Sequence, residues 1–318
     1  TEQELDWRPR NYGDKWYGPI TMRSTLERSI NVASIRVVLN TGVGPTARHV
    51  RRFGFNETAA PRDVGIALGS GGVSAVDLAR GYAAFANYGY KVEPYLVQRI
   101  EDGTGQVVFE AEPPLACYEC YDVAADIEAL DTEQQLVDSA TQLYPPRNRA
   151  ERVISPQNAY LVADMMQGVI RRGTGARARR ELGRSDLAGK TGTTNESRDT
   201  WFAGFNGDIV AVSWVGFNDY REQGGEEGAS AALPMWIAYM DEALEGVPEN
   251  AIRMPPGIVE ARINPETGLS AAECSTNVTF EKFMIDNVPP QEPENCRRSI
   301  QPNTYDGEFN VSGTDDIF

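Results

Sequence analysis

The chain has 318 residues, of which 41% are hydrophobic and 24% are charged, and its formal net charge at pH 7 is −16. These values are typical of a folded globular protein with one large or two smaller domains, and they exclude a chain that is disordered overall. The acidic excess argues against nucleic acid and against an anionic membrane surface as partners, because both recruit basic proteins.

The first residues, TEQELDWRPR, contain neither a Met nor the basic and apolar segments of a signal peptide. We therefore expect Thr1 to be an internal position of a longer protein, whose export signal and membrane anchor would lie upstream. No apolar run in the sequence reaches the roughly eighteen residues that a transmembrane helix needs.

Residues 21–39 have a helical pattern that is interrupted between Ser29 and Asn31. Thr21 is a candidate N-cap for the first helix, and Ser29 or Asn31 is a candidate for the second. A third, short helix is predicted around residues 45–52.

Ser74 and Asp77 have the spacing of a capping box at the start of a further helix, which Gly89 is expected to end. Residues 95–110 are then predicted to form a strand, a turn and a second strand. Residues 111–150, which are rich in proline and acidic residues, are predicted to be an insertion or a surface excursion.

The sequence has four cysteines, which are Cys117, Cys120, Cys274 and Cys296. A zinc site would need a second pair of ligands at suitable spacing, and the single histidine, His49, is far in sequence from both cysteine pairs. We therefore predict one or two disulfides in an oxidising compartment, and no metal site.

Ser155 is a candidate N-cap with Pro156 at the first helical position, and Gly173 is expected to end this helix. Residues 187–217 predict three consecutive antiparallel strands, with a two-residue Asn-Gly loop between the last two. Because the two long strands are almost uniformly apolar, helices are expected on both faces of the sheet.

The predicted fold class is α/β in the α+β sense, with an antiparallel central sheet covered by helices on both faces. Four parts of the chain are distinguished. They are an incomplete N-terminal helical part (residues 1–110), the insertion (111–150), the strands of the sheet with the helices around them (151–250), and a C-terminal extension with an acidic, proline-rich tail (251–318).

A lysine in the first of these strands is unusual, because a buried ammonium group is costly without a partner. Lys190 is followed by Thr191, Gly192, Thr193 and Thr194. The cation and the hydroxyls of an edge strand can bind the carboxylate of an extended peptide, and a glycine lets the peptide backbone approach. The alternative is a lysine whose stem packs while its ammonium group reaches solvent.

Ser29 and Asn31 form an S-x-N element at the break between two helices. A serine hydroxyl near a lysine can relay a proton, and an Asn side chain can orient a substrate amide. The alternative role of both residues is helix capping. Together, S-x-N and K-T-G match the pattern of the penicillin-interacting serine transferases and hydrolases.

The resemblance extends beyond these motifs. It is carried by WRPRNYGDKWYGPITMRSTLERSINVAS, ALGSGGVSAVDLARGYAAFANYGYKVEPYLVQRIED, NAYLVADMMQGVIRRGTG and LAGKTGTTNESRDTWFAGFN, and it covers roughly residues 7–270. These stretches resemble the transpeptidase domain of bifunctional class A penicillin-binding proteins of the Gram-negative 1a type. Such proteins are anchored in the inner membrane, carry a peptidoglycan glycosyltransferase domain upstream, and cross-link peptide stems in the periplasm without a cofactor.

The resemblance implies three catalytic residues. Ser29 would shuttle a proton, Asn31 would bind the substrate's amide side chain, and Lys190 would supply the field that keeps the proton path working. The substrate-binding residues it implies are Thr191, Gly192, Thr193 and Thr194. The threonines at 191 and 193 would hold the terminal carboxylate of a D-Ala-D-Ala stem peptide, or of a β-lactam antibiotic that mimics it, and the N–H of residue 193 would be half of the oxyanion hole.

The family's acylated serine lies in an S-x-x-K motif, which this sequence lacks. None of the four lysines, Lys15, Lys91, Lys190 and Lys282, has a serine three residues before it. We therefore expect the nucleophile to lie upstream of Thr1, and we expect the chain alone not to be acylated by penicillin.

Two alternative functions stay open at this point. A serine β-lactamase would need a base for deacylation, and no Glu between Ser29 and Lys190 can be assigned to that role; Ile30 in place of the Asp of S-D-N also argues against the class A enzymes. A non-catalytic module that binds peptidoglycan or β-lactams is the other alternative. Such a module needs no nucleophile, which would account directly for the missing S-x-x-K.

Overall fold

The computed structural model describes residues 8–116, 149–194 and 197–293. The helices within these ranges are α1 (Met22–Arg28), α2 (Asn31–Thr41), α3 (Val43–Arg51), α4 (Ala75–Ala86), α5 (Pro156–Arg172), α6 (Ala176–Leu182) and α7 (Leu233–Ala243). The strands in the same ranges are β1 (Arg99–Glu101), β2 (Val107–Glu110), β3 (Ala188–Thr193), β4 (Asp199–Phe205), β5 (Val210–Gly216), β6 (Ile258–Ile263) and β7 (Thr279–Met284). A π-helical turn, Gly228–Ala232, leads into α7.

The central sheet has the strand order β3-β4-β5, and both pairs are antiparallel, as predicted. A hydrogen bond of 3.0 Å from the Asn206 N–H to the Ile209 carbonyl closes the second hairpin. The loop residues are therefore Gly207 and Asp208, one position later than the predicted Asn-Gly loop. The cause is the buried Asn206 side chain, whose carbonyl oxygen accepts hydrogen bonds from the N–H groups of Asp208 and Ile209.

Helices cover both faces of this sheet, which confirms the prediction from its apolar strands. On one face, Leu187 and Phe202 pack in a cluster with Trp236 of α7. On the other face, Ala188 and Phe205 pack against residues of α4 and α5. Neighbouring positions alternate between the two clusters because side chains in a strand have a period of two.

Three predicted N-caps are confirmed. The side chains of Thr21, Ser74 and Ser155 accept hydrogen bonds from N–H groups at the starts of α1, α4 and α5. The helix α4 ends at Ala86, three residues before the predicted Gly89, which has a φ of 92° in the following turn.

The start of α2 differs from the prediction, because neither Ser29 nor Asn31 caps it. Ile30 is the N-cap residue and makes no side-chain cap. Instead, the side-chain oxygen of Asn11 accepts the Val32 N–H at 3.0 Å. The cap comes from a residue far away in sequence, so the local pattern could not identify it.

Cys274 is disulfide-bonded, which agrees with the prediction of one or two disulfides. Cys117, Cys120 and Cys296 lie outside the described residues, as does most of the predicted insertion. The strands β1 and β2 that precede it form an antiparallel hairpin, as predicted.

A hairpin of β6 and β7 packs against α1 and α5 through charged side chains. Asp164 of α5 is only 5% exposed and accepts hydrogen bonds of 2.5 Å from both Lys282 Nζ and Arg23 Nη2. Arg23 also donates from Nε to Glu281 at 2.7 Å, and Lys282 donates to the Tyr160 hydroxyl at 2.9 Å. These contacts tie the hairpin to the helix that leads to Ser29.

The described start of the predicted tail is packed against this region. Glu292 is buried and accepts hydrogen bonds from the Ala272 N–H at 3.1 Å and from the Asn264 side chain at 3.0 Å. Residues from 294 onward lie outside the described part of the chain. No helix among the described residues is both long and apolar enough to cross a membrane.

Candidate active site

Ser29 lies at the C-terminal end of α1 in a left-handed backbone conformation, with φ of 55° and ψ of 54°. Its N–H donates to the Leu26 carbonyl at 3.2 Å, and the next N–H, of the buried Ile30, donates to the Thr25 carbonyl at 3.0 Å. A residue other than glycine is strained in this conformation by about 1–3 kcal/mol, so surrounding contacts must hold it. The turn leaves the Ser29 side chain exposed.

Lys190 of β3 meets Ser29 across 161 positions of sequence. Its Nζ donates to Ser29 Oγ at 2.8 Å and to the Thr191 carbonyl at 2.8 Å. The K-T-G and S-x-N elements therefore come together through a direct hydrogen bond between their first residues.

The side chain of Lys190 is partly buried, and it forms no ion pair with any carboxylate in the described ranges. Burial disfavours the ammonium form and lowers the pKa of Lys190 to about 8. The preceding Gly189 is required by packing, because a Cβ there would lie 2.7 Å from Cζ of Phe202 on the paired strand.

The hydroxyl of Thr191 lies 2.8 Å from the hydroxyl of Thr174, which follows α5. Sequence analysis did not identify Thr174 as a site residue. Its position between Gly173 and Gly175, where the chain turns back toward β3, was the available signal, but two glycines in a loop do not specify a partner.

The hydroxyl of Thr193 accepts a hydrogen bond of 3.0 Å from the Gly228 N–H. A Cβ at Gly228 would lie 2.6 Å from the carbonyl oxygens of both Gly192 and Trp201. The π-helical turn thus approaches β3 and β4 closely because it begins with a glycine. Gly192 itself faces Trp201, whose Cβ would lie 3.2 Å from an added Cβ.

Asn31 and Thr194 have other contacts in this structure. The Asn31 side-chain amide donates to the Arg10 carbonyl at 3.0 Å. The Thr194 hydroxyl accepts the Asp199 N–H at 2.8 Å, and the Thr194 N–H donates to the Asp199 carbonyl at 3.0 Å. Thr194 therefore closes the turn that joins β3 to β4.

The arrangement brings three kinds of group together. The Ser29 hydroxyl can pass on a proton, Lys190 provides a cation, and the hydroxyls of Thr191 and Thr193 can bind an anion. Because Lys190 donates to Ser29 Oγ, the Ser29 proton is left available for another acceptor. Thr191 and Thr193 lie on the same side of β3, since they are two positions apart. No group of three or more His, Cys, Asp or Glu residues within the described ranges is placed to hold a metal ion.

Comparison with protein families gives a match over a range that spans these residues. The model of the penicillin-binding protein transpeptidase domain matches residues 1–222, which include both the S-x-N and the K-T-G elements.

Among curated proteins, the chain is 41% identical to penicillin-binding protein 1A of Pseudomonas aeruginosa, over 95% of the chain and 38% of that protein. It is 35% identical to penicillin-binding protein 1A of Escherichia coli, over 90% of the chain and 39% of that protein. Among solved structures, penicillin-binding protein 1A from Haemophilus influenzae is 36% identical with a TM-score of 0.78, covering 89% of this chain and 42% of that one. The chain thus spans about two fifths of these relatives, and it belongs to the family of penicillin-binding protein transpeptidase domains.

Proposed function

We propose that this domain, in the longer protein that contains it, is a serine D,D-transpeptidase that cross-links D-Ala-D-Ala stem peptides of peptidoglycan. The observation that carries the proposal is the 2.8 Å hydrogen bond between Lys190 Nζ and Ser29 Oγ. It joins two motif residues that are distant in sequence, and it gives the serine hydroxyl the environment that a proton shuttle needs.

In the proposed reaction, the nucleophilic serine comes from a part of the longer protein outside these 318 residues. Its oxygen attacks the carbonyl carbon of the penultimate D-Ala, and its proton passes through the Ser29 hydroxyl to the nitrogen of the departing terminal D-Ala. The C–N bond breaks and an acyl-serine forms. The amine of a second stem peptide then attacks the acyl carbon and forms the new C–N bond. The C–O bond of the acyl-serine breaks, and the proton lost by the amine passes to the serine oxygen, which restores the free hydroxyl.

The protonated Lys190 stabilises the anionic substrate, and the hydroxyls of Thr191 and Thr193 bind its terminal carboxylate. The N–H of Thr193 donates to the developing oxyanion, which in other enzymes contributes about 2.7–4 kcal/mol per donor to transition-state stability. Asn31 would have to exchange its contact with the Arg10 carbonyl for the amide side chain of the substrate.

We infer that the longer protein is anchored in the inner membrane, that this domain works in the periplasm, and that β-lactam antibiotics bind as analogues of the peptide. Penicillin-binding protein 1A relatives of this identity support that inference. An oxidising periplasm is also compatible with the disulfide at Cys274.

The test is intact mass spectrometry after incubation with penicillin G, on the longer protein and on the 318-residue chain. We expect one penicillin adduct on the longer protein only. Ser29→Ala and Lys190→Met should slow its formation by about 10²–10⁴-fold, which is the usual contribution of a general acid–base group.

Ser34→Ala is the matched control, because the Ser34 hydroxyl donates to the carbonyl of Ile30, the N-cap residue of α2. This variant should acylate at the rate of the unmodified protein. Absence of any adduct would contradict the proposal and favour a binding module. Rapid turnover of a chromogenic β-lactam would instead indicate a β-lactamase.

A further inference from the structure

A third threonine lies beside the K-T-G strand, outside both motifs. Thr174 Oγ1 is 2.8 Å from Thr191 Oγ1, and either oxygen can be the donor in that hydrogen bond. The question is which of the two protons lies between the oxygens, because the other proton is then available to a ligand.

Thr174 is held in place by α1. Its N–H donates to the Glu27 carbonyl at 3.2 Å. The Glu27 carboxylate is buried and accepts two hydrogen bonds from Arg172, from Nε at 2.8 Å and from Nη2 at 2.7 Å. A Cβ at Gly173 would lie 2.4 Å from the Glu27 carbonyl oxygen, so the loop fits closely against the helix. The Thr174 hydroxyl is thus presented to β3 by a rigid support.

The surroundings of Thr191 favour its role as the acceptor. Lys190 Nζ lies 3.5 Å from Thr191 Oγ1 as well as 2.8 Å from the Thr191 carbonyl. A cation at that position attracts the lone pairs of the hydroxyl oxygen and repels its proton. With Thr174 donating to the same oxygen, the Thr191 proton is directed away from both groups.

Thr193 shows the same arrangement two positions along the strand. Its hydroxyl oxygen accepts the Gly228 N–H at 3.0 Å, which leaves its proton to be donated. With Thr174 as the donor to Thr191, the strand would present two hydroxyl protons, each directed by a protein donor on the other side of the oxygen, and a carboxylate has two oxygens to accept them.

We propose that Thr174 is a positioning residue of the carboxylate-binding site, whose hydroxyl donates to Thr191 Oγ1 and so directs the Thr191 proton toward the ligand carboxylate. This inference rests on the proposed function and adds a residue that neither motif contains. Thr174 acts through Thr191 and makes no contact with the ligand itself.

The experiment compares acylation of the longer protein by penicillin G, which carries a free carboxylate, and by its methyl ester, which does not. The variants are Thr174→Val, which keeps the shape but loses the hydroxyl, and Thr174→Ser, which keeps the hydroxyl. We expect Thr174→Val to lower about tenfold the ratio of the acylation rate with penicillin G to the rate with its methyl ester. This is the size expected for a hydrogen bond that serves a charged group. Thr174→Ser should keep the ratio of the unmodified protein.

Thr46→Val is the matched control, because its hydroxyl donates to the Gly42 carbonyl in the first turn of α3, away from β3. Since both rates are measured on one preparation, their ratio does not depend on the fraction of folded protein. An equal loss with acid and ester, or no loss with either, would overturn the inference while leaving the proposed function intact. Failure of the unmodified protein to form any adduct would overturn both.

Discussion

Lys190 is the residue in which burial and chemistry are most closely linked. Its ordinary pKa is 10.5, and burial lowers the pKa to about 8 in the folded protein. Between these two values the unfolded chain binds more protons than the folded one, so the free energy of unfolding rises with pH over this window. At neutral pH the lysine is charged and therefore lowers the free energy of unfolding, and the site retains a cation despite this loss of stability.

We predict that this lysine can be observed directly. The chain has only Lys15, Lys91, Lys190 and Lys282, so ¹³Cε-labelled lysine gives few NMR signals. The signal that disappears in Lys190→Met should titrate near pH 8, whereas that of Lys282 should titrate above 10.5, because its hydrogen bonds to Asp164 and Tyr160 outweigh its partial burial and raise the pKa. A Lys190 midpoint at or above 10.5 would contradict the prediction.

At the scale of elements, the junction of α1 and α5 positions the site. Glu27 near the end of α1 forms two hydrogen bonds with Arg172 at the end of α5, two residues before Ser29 and Thr174 respectively. A Cβ at Gly168 would lie 2.0 Å from Glu27 Oε1, so the helices meet closely where the carboxylate is buried. One ion pair thus links the helix that ends at Ser29 to the loop beside β3.

We predict that Arg172→Met lowers the free energy of unfolding by about 2–3 kcal/mol, because it leaves a buried carboxylate without its partner. Adding Glu27→Gln to this variant should recover part of the loss, since no charge then stays buried. Arg177→Met is the control: its pair with Glu181 is exposed, and such pairs contribute less than about 1 kcal/mol. Urea unfolding measures all of these variants; equal effects at residues 172 and 177 would refute the argument.

Over the whole molecule, a buried charge cluster joins the C-terminal hairpin to the domain. Burial alone would raise the pKa of Asp164, but the hydrogen bonds from Lys282 and Arg23 outweigh it and hold the pKa below the ordinary 3.8. The carboxylate therefore stabilises the folded state above pH 3.8, and this contribution is lost as the pH falls through the lower, folded-state pKa.

We predict that Asp164→Asn is clearly less stable than the unmodified chain at pH 7, and that the difference shrinks as the pH is lowered from 5 to 3. Asp14→Asn serves as the control, because the Arg10–Asp14 pair is exposed at the surface. Urea unfolding at each pH gives the free energy of unfolding of each variant relative to the unmodified chain. If the difference for Asp164→Asn stays constant with pH, the charge of the Asp164 carboxylate is not the source of the lost stability.

Part of the site could be predicted because its residues occur in short motifs. Ser29 and Lys190 were identified as a pair from S-x-N and K-T-G, and they lie at hydrogen-bond distance. Thr174, Gly228 and Asn11 were missed, because each acts on a residue at least seventeen positions away and none belongs to a periodic pattern. The proposed division of the chain at residues 110, 150 and 250 stays a prediction.

The sequence by itself determined the three-stranded sheet, its helices on both faces, three of the N-caps and the family motifs, because these depend on local periodicity and residue type. Only the tertiary structure decided that Asn11 caps α2, that the hairpin loop begins at Gly207, and that Thr174 stands behind Thr191. These depend on side-chain hydrogen bonds and close packing, and such contacts exist only after distant segments have been brought together.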